Sequence, residues 1–210
     1  MKIAVVGAAG MVGSRVITEA ARRGHELIAV FRTERQVALP PGVVAVAGEA
    51  SDPGRMSEFF DGADAIVAAT RPAPGHEHDV TDTTTGLLDA AAKTRTRILV
   101  VGGAAPLRVS DDDDRLVIDS PDHVPAHIRP IAAASIAQLD ACLPHPARWV
   151  YLSPPAMLEP GRRTGRYRRG TTTLLTDADG SSRISAEDLA VAVVDELENP
   201  GVERHFTVGY

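Results

Sequence analysis

The sequence contains a single cysteine, Cys142, among its 210 residues. One cysteine excludes an internal disulfide, and a chain of this length can bury enough apolar surface to fold without such a link. We interpret Cys142 as a packed thiol on a helix, with a reactive nucleophile as the less favoured alternative. The lack of a disulfide framework fits a reducing compartment, so we expect a cytoplasmic protein.

The sequence also lacks a hydrophobic run long enough to cross a bilayer. Its start, MKIAVVGAAG, carries one lysine and continues directly into a short apolar segment. That arrangement predicts a strand and argues against a signal peptide. We therefore expect no membrane partner.

Basic residues are not in excess: 22 Lys and Arg stand against 28 Asp and Glu, a formal net charge of −6 at pH 7. This balance argues against a general nucleic-acid binder, which usually has a basic surface. Neither a cysteine pair nor a helical His–Glu motif occurs, so we expect no metal site. The acidic run SDDDDR at 110–115 is interpreted as a solvated loop, because consecutive carboxylates do not converge unaided.

What the sequence does contain is an alternation of short apolar runs and helical patterns. The runs predict strands at residues 2–6, 26–31, 43–47, 64–70, 97–103, 148–155 and 204–210. Helical patterns occupy residues 11–23, 53–60, 79–94, 128–143 and 185–201, the last with Ser185 as its N-cap. The alternation predicts an α/β fold of the Rossmann type, a doubly wound parallel sheet with a small C-terminal portion on the substrate side.

The stretch GAAGMVG, Gly7 to Gly13, joins the first predicted strand to the first helix. Backbone N–H groups at a helix N-terminus bind phosphate, and side chains on the loop would block the approach. Gly7 would make the turn, Gly10 would open the helix, and Gly13 would let the helix lie close to the strand. The glycine spacing is weak evidence alone, but the strand before it and the helix after it favour a dinucleotide site over an empty turn.

The end of the second strand selects between the two nicotinamide cofactors. An NAD site usually has an acid there, whereas an arginine accommodates the additional phosphate of NADP. The segment AVFRTER has no acid at its tip and places Arg32 there, with Thr33 and Arg35 as possible additions. We expect NADP(H), with an ordinary exposed cation as the alternative role of Arg32.

These features resemble the atypical short-chain dehydrogenase/reductase superfamily, in its NmrA-like and NAD(P)H-flavin-reductase-like branch. The resemblance is carried by GAAGMVG, the arginine of VFRT, DAIVAAT, ILVVGG and the run from YLSPP to the C-terminus, and it spans nearly the whole chain. It implies one NAD(P)-binding domain over 1–210, with 153–184 as a small segment that covers the substrate. It also implies that the cofactor meets Gly7, Ala9, Gly10, Met11, Val12, Gly13, Arg32, Thr33, Ala68, Ala69, Thr70, Gly102, Gly103, Ser153 and Pro154.

The sequence departs from this family at the proton relay. Typical members carry a tyrosine and, four residues later, a lysine on one helix, and this sequence has no such pair. Either the hydride passes to an acceptor that needs little acid catalysis, or another residue supplies the proton. His76 and His78, in the loop after the fourth strand, and Tyr167 are the candidates, with ordinary polar loop roles as the alternative. Tyr151 lies in a strand and is expected to pack.

The segment EPGRRTGRYRRG carries five arginines, which could bind an anionic substrate or form salt bridges to an acidic surface; these are Arg162, Arg163, Arg166, Arg168 and Arg169. Three functions remain open, in this order. The first is an NADPH-dependent reductase of a small, aromatic, quinone-like or flavin-like substrate. The second is a non-catalytic NADP(H)-binding regulator, and the third an NAD-dependent sugar-nucleotide epimerase or dehydratase. By analogy with such folds, a homodimer is expected.

Overall fold

The computed structural model of the protein describes residues 1–34 and 38–210. Within them the chain forms five α-helices and twelve strands. The helices are α1 (Met11–Arg22), α2 (Pro53–Phe60), α3 (Val80–Thr94), α4 (Arg129–Cys142) and α5 (Ala186–Glu198). The strands are β1 (Lys2–Val6), β2 (Glu26–Phe31), β3 (Val43–Ala47), β4 (Ala65–Ala68), β5 (Arg97–Val101), β6 (Arg108–Ser110), β7 (Asp113–Leu116), β8 (Trp149–Ser153), β9 (Met157–Glu159), β10 (Arg168–Gly170), β11 (Arg183–Ser185) and β12 (His205–Gly209).

Eight of these strands form the central sheet, in the order β3-β2-β1-β4-β5-β8-β12-β10. Neighbouring strands are parallel except for β10, which runs antiparallel to β12. The strand order reverses direction between β1 and β4, and open sheets of this kind bind ligands at the carboxyl ends beside such a point. The predicted Rossmann-type, doubly wound sheet is confirmed.

Helices cover both faces of the sheet. On one face, α1 and α5 pack through Val16, Leu189 and Val193 against inward-facing residues such as Ile3 and Val5. On the other face, α2, α3 and α4 pack against the alternate strand positions, with Met56, Phe60, Leu87, Leu88 and Cys142 buried among them. Burial on both faces explains why the strands are continuous apolar runs instead of alternating ones. Burial also raises the pKa of the Cys142 thiol to about 12, which fits a packed side chain.

The ends of two helices follow the sequence signals. α1 stops where Gly24 adopts a φ of +81°, the left-handed conformation that a C-terminal glycine provides. At the start of α5, the Ser185 hydroxyl accepts a hydrogen bond from the Asp188 backbone N–H at 3.0 Å, so the predicted cap is confirmed. The Asp188 carboxylate does not complete a capping box, because it accepts instead from Thr164 and Gly165 of the arginine-rich segment.

Two short segments differ from the prediction. The acidic run 110–115 is not a plain loop: it forms the turn of a β6–β7 hairpin and part of β7. The hairpin forms because Leu107 and Val117, at its two ends, are buried in a small core of their own with Leu174. The arginine-rich segment, expected as a loop, supplies β10 at the edge of the main sheet. Such three-residue strands carry too few positions for an alternating pattern to be detected.

A buried carboxylate on α1 ties the arginine-rich segment to the body of the protein. Glu19 is 4% exposed and accepts both hydrogen bonds of a bidentate pair with Arg163, at 2.8 and 3.0 Å. Arg22 and Arg23 donate to the same carboxylate at 2.8 Å. Burial alone would raise the pKa of Glu19, but the hydrogen bonds from Arg163, Arg22 and Arg23 outweigh it and hold the pKa far below its usual value.

Replacing this carboxylate should destabilise the fold in a pH-dependent way. We expect Glu19→Gln to lower the free energy of unfolding at pH 7 by about 3 kcal/mol, because it removes the charged partner of Arg163 and Arg22, whereas Arg23 keeps its ion pairs with Asp195 and Glu198. The folded-state pKa is depressed, so the stabilisation is fully present above the ordinary carboxyl range and is lost as the pH falls below about 4. Urea unfolding of both proteins from pH 7 to pH 3 measures this, and the difference should shrink at the acidic end.

The matched control is Glu58→Gln, because Glu58 is exposed and pairs with Arg55 within α2. An exposed pair contributes at most about 1 kcal/mol, so this variant should remain close to the parent at every pH. Equal destabilisation by the two substitutions would contradict the assigned role of Glu19.

Candidate functional site

The glycine loop brings the backbone of β1, β4 and α1 together without side chains between them. Gly7 has a φ of +85°, and a Cβ at this position would overlap the carbonyl oxygen of Ala69. A Cβ at Gly13 would overlap the carbonyl oxygen of Gly7 itself. Gly10 is less crowded, because a Cβ there would lie 3.2 Å from the Gly7 oxygen, to which the Gly10 N–H donates at 2.9 Å. Gly7 and Gly13 therefore set the close packing, and Gly10 begins the helix.

The N-terminus of α1 carries the features of an anion site. Gly10 is the N-cap, and within the described residues no side chain caps the helix and no acid stands in its first turn. The first N–H groups thus point out of the helix without an internal partner, and the helix dipole places partial positive charge there. A diphosphate group fits such a bare helix end, because its oxygens can accept these hydrogen bonds.

A cleft of about 430 Å³ extends from this helix end along the carboxyl ends of the strands. It brings together eight of the residues predicted to meet the cofactor: Gly10, Met11, Val12, Ala69, Thr70, Gly102, Gly103 and Pro154. The opposite wall is largely apolar and includes Val124, Ile128, Ile131 and Leu158. Bare backbone at one end and apolar walls at the other suit a ligand that is charged at one end and flat and apolar at the other.

The remaining predicted cofactor residues lie around the cleft instead of lining it. Ala68 is buried at the end of β4, beneath the glycine loop. Ser153 is fully buried, with its hydroxyl 2.9 Å from Nε2 of His205. Burial lowers the pKa of His205 to about 4, so this imidazole is neutral at pH 7. Ser153 therefore supports the wall of the cleft from behind.

Gly102 and Gly103 are glycines for a reason that the sequence does not display. A Cβ at Gly102 would overlap the Tyr151 hydroxyl, and a Cβ at Gly103 would overlap the Ser135 side chain. The Tyr151 hydroxyl lies 2.9 Å from the Ser135 carbonyl oxygen and 3.1 Å from Oε1 of Gln138. Burial raises the pKa of Tyr151, so it remains a protonated packing residue that links β8 to α4. The expectation that Tyr151 packs is confirmed.

Arg32 stands at the end of β2, with 70% of its side chain exposed. Its ion pair with Glu49 is loose, with Nε 3.5 Å from Oε1 of Glu49. An exposed pair of this kind holds the guanidinium weakly, so a phosphate could displace Glu49. Thr33 is also exposed beside it, and Arg35 lies outside the described residues.

The three proposed catalytic side chains, all within the described residues, do not line the cleft. His76 and His78 are exposed on a 3₁₀ turn, Glu77–Asp79, where both rings approach Asp79. Tyr167 packs against the core, and its hydroxyl donates to Asp195 at 2.6 Å. Burial and that hydrogen bond raise the pKa of Tyr167, which makes it a poor proton donor.

A histidine that the sequence analysis did not select does line the cleft. His123 is half-buried, and its backbone N–H donates to the Ser120 carbonyl oxygen at 3.1 Å. Across the described residues, its ring has no hydrogen-bond or ion-pair partner. No local motif marks it in the sequence, because only the folding of the segment around Val117 and Val124 against α4 brings it to the cleft. Ser135 and Gln138 of α4 line the same cleft.

Three of the five arginines of the arginine-rich segment form ion pairs with acidic side chains. Arg163 binds Glu19, Arg168 lies 3.7 Å from Asp177, and Arg169 donates to Glu196 at 2.6 Å. Arg162 and Arg166 have no comparable partner among residues 1–34 and 38–210. This supports the salt-bridged surface for most of the segment. As for membranes, no helix in the described part of the chain is both long and apolar enough to span one.

Comparison with known proteins agrees with this geometry. Residues 7–200 match the NAD(P)H-binding family. The uncharacterized protein YwnB of Bacillus subtilis is 36% identical over 209 residues, which are 95% of this chain and 93% of that protein. A candidate NADH-flavin reductase from Streptococcus pneumoniae is 28% identical with a TM-score of 0.88, covering 100% of this chain and 99% of its own. A candidate epimerase from Bacteroides thetaiotaomicron is 34% identical with a TM-score of 0.88, and the match covers 100% of this chain and 96% of the epimerase chain. The chain belongs to the NAD(P)H-binding family of Rossmann-type proteins.

Proposed function

We propose that the protein is an NADPH-dependent reductase of a small, flat, quinone-like or flavin-like substrate. The observation that carries this proposal is the shape of the cleft, which joins the bare N-terminus of α1 to apolar walls at the carboxyl ends of β4, β5 and β8. The likeness to a candidate NADH-flavin reductase supports the same substrate class.

The residues fit the cofactor in two places. The N–H groups of Met11 and Val12 would bind the diphosphate, with Gly10 keeping the approach open. Arg32, with Thr33 beside it, would bind the additional phosphate of NADP, for which the loose contact with Glu49 leaves it free. When bound, NADPH supplies a hydride at the nicotinamide ring.

The substrate side of the cleft is formed by apolar residues of three segments. These residues include Val124 and Ile131, together with Pro154 and Leu158 from the start of the 153–184 segment. These side chains exclude water from the reacting atoms and favour a flat aromatic ring over a sugar. We infer that residues 154–158 cover the substrate, while the rest of the segment is anchored on α1 and α5.

His123 is suited to supply the proton that such a reduction requires. It lines the cleft beside Val124, and its ring is not held by another described residue. An imidazole can donate a proton to a bound substrate and take one back from water, which suits general acid catalysis. This assignment replaces His76, His78 and Tyr167 as the proton donor in the proposal.

A second function, that of an NADP(H)-binding regulator without turnover, is favoured by one observation. α4 presents Ser135 and Gln138 to the cleft, and the sequence of α4 contains neither a tyrosine nor a lysine. The likeness to a candidate epimerase supports a third function, but the same missing pair and the apolar wall count against sugar-nucleotide chemistry. Oxidation of NADPH by an acceptor would distinguish the reductase from both the regulator and the epimerase.

The cofactor assignment predicts a preference that depends on one side chain. We expect NADPH to bind about 10- to 100-fold tighter than NADH, because the additional phosphate gains a charged hydrogen bond from Arg32. Arg32→Ala should remove most of this preference and leave NADH binding nearly unchanged. Fluorescence titration of the purified protein with each cofactor measures both effects.

The matched control is Arg55→Ala, because Arg55 is likewise an exposed arginine paired with a glutamate. This variant should keep the full preference for NADPH. If neither cofactor binds the parent protein, the reductase and regulator functions both fail; if both bind equally, only the role of Arg32 fails.

The reductase proposal predicts turnover with planar acceptors. Steady-state oxidation of NADPH, followed by its absorbance, should be accelerated by soluble quinones or free flavins and not by sugar nucleotides. We expect rates of at least about 1 s⁻¹, the lower end of typical enzymes. Tight NADPH binding with no oxidation by any acceptor would instead support the regulator.

His123 is tested by a substitution that keeps its size and polarity. We expect His123→Gln to lower kcat by about 100-fold while the Kd for NADPH is unchanged, because general acid catalysis contributes at least that factor. His127→Gln is the control, since His127 is exposed on the neighbouring turn Ala126–Ile128, outside the lining of the cleft. A normal kcat for His123→Gln would show that the proton comes from elsewhere, without affecting the cofactor assignment.

A further inference from the structure

Two histidines and an aspartate form a compact cluster at the rim of the cleft. The ligand atoms of His76, His78 and Asp79 all lie within 4.8 Å of one another. Nδ1 of His76 is 3.5 Å from Oδ2 of Asp79, and Nε2 of His78 is 3.1 Å from Oδ1. Both rings thus approach different oxygens of one carboxylate. Among the described residues this is the one group of three or more such side chains with this spacing.

We propose that His76, His78 and Asp79 bind one divalent transition-metal ion of the Zn²⁺ class. Imidazole nitrogens and carboxylate oxygens coordinate zinc at about 2.0–2.2 Å, so ligand atoms around one ion lie about 3–4 Å apart. The observed spacings require only small side-chain rotations to reach that arrangement. Three protein ligands leave a fourth position for water or an anion.

The backbone holds these residues in place without any metal. Gly75, with a φ of +83°, makes the turn that precedes them, and its N–H donates to the Glu77 carboxylate at 3.1 Å. The His76 N–H donates to the Ala73 carbonyl oxygen at 2.9 Å. In the 3₁₀ turn that follows, residues three apart lie one above the other, which places His76 over Asp79. The ligand set is therefore largely preformed.

The choice of metal follows from the chemistry of the side chains. Two imidazoles favour Zn²⁺, Ni²⁺ or Cu²⁺ over Mg²⁺ or Ca²⁺, which prefer oxygen ligands. The neighbouring carboxylates of Glu77 and Asp82 add negative charge that attracts a cation. All three ligands are exposed, so the affinity should be lower than that of a closed structural site.

The position of the cluster places the ion at the cleft. Val80, which directly follows the cluster, lines the cleft, and so does Pro72, four residues before His76. An ion here would hold the loop between β4 and α3, parts of which line the cleft. The inference concerns binding of the metal itself and does not depend on the proposed reductase activity. It departs from the sequence-based expectation that no metal binds.

The test is calorimetric titration of the full, EDTA-treated and desalted protein with ZnCl₂ in a non-chelating buffer. We expect one saturable Zn²⁺ equivalent, and no comparable binding of Mg²⁺. His78→Gln and Asp79→Asn should each weaken Zn²⁺ binding at least about tenfold. Removing a residue that only hydrogen-bonds to a metal ligand already lowers metal affinity by that factor, and these substitutions remove a ligand itself. Asp79→Asn should keep the fold, because the Asp79 side chain makes no capping hydrogen bond to α3.

The matched control is His127→Gln, which removes an exposed histidine from another 3₁₀ turn and should leave Zn²⁺ binding unchanged. A second readout is the NMR signals of the imidazoles, where those of His76 and His78 should shift with one equivalent of Zn²⁺. The proposal is overturned if the parent protein shows no saturable binding, or if His78→Gln and Asp79→Asn bind Zn²⁺ as tightly as the parent.

Discussion

The arrangement of the site depends on one close approach of backbone to backbone, between Gly7 and the carbonyl of Ala69. A side chain at Gly7 would push β1 and β4 apart at their carboxyl ends, where the strand order reverses. The same constraint recurs between Gly13 and Gly7, so α1 begins directly against the end of β1. The cleft, the bare helix end and the position of Thr70 all follow from this contact.

The arginine-rich segment is held against α1 and α5 by charges instead. Glu19, Asp188 and Glu196 are buried acids on α1 and α5, and each accepts hydrogen bonds from the arginine-rich segment. Breaking one such contact leaves buried charge without its partner, which is costly. This explains why a segment rich in arginine and glycine is ordered at all. It also explains why most of its positive charge is not available to an anionic substrate.

The sequence predicted the sheet, the helices and the glycine loop at one end of the cleft because local signals specify them. A buried parallel strand, a glycine turn and a helix cap each leave a pattern within a few residues. The other end of the cleft has no such pattern. His123 and the apolar wall come from segments separated along the chain, and Tyr151 meets Gly102 only after β8 pairs with β5. His76 and His78 were predicted as proton donors because they follow the fourth strand in the sequence. In the structure their rings approach Asp79 and do not line the cleft.

His123, on the one hand, and the cluster of His76 and His78 with Asp79, on the other, are therefore assigned different roles, which the sequence does not show. A proton donor must contact the substrate, and under the proposed function the imidazole of His123 would do so, because it lines the cleft and is not held by another described residue. A metal site needs several ligands already oriented toward one point, which the turn from Gly75 to Asp79 provides. Because the two groups lie on different segments, removing one leaves the other in place. Loss of proton transfer and loss of metal binding can thus be separated by substitution.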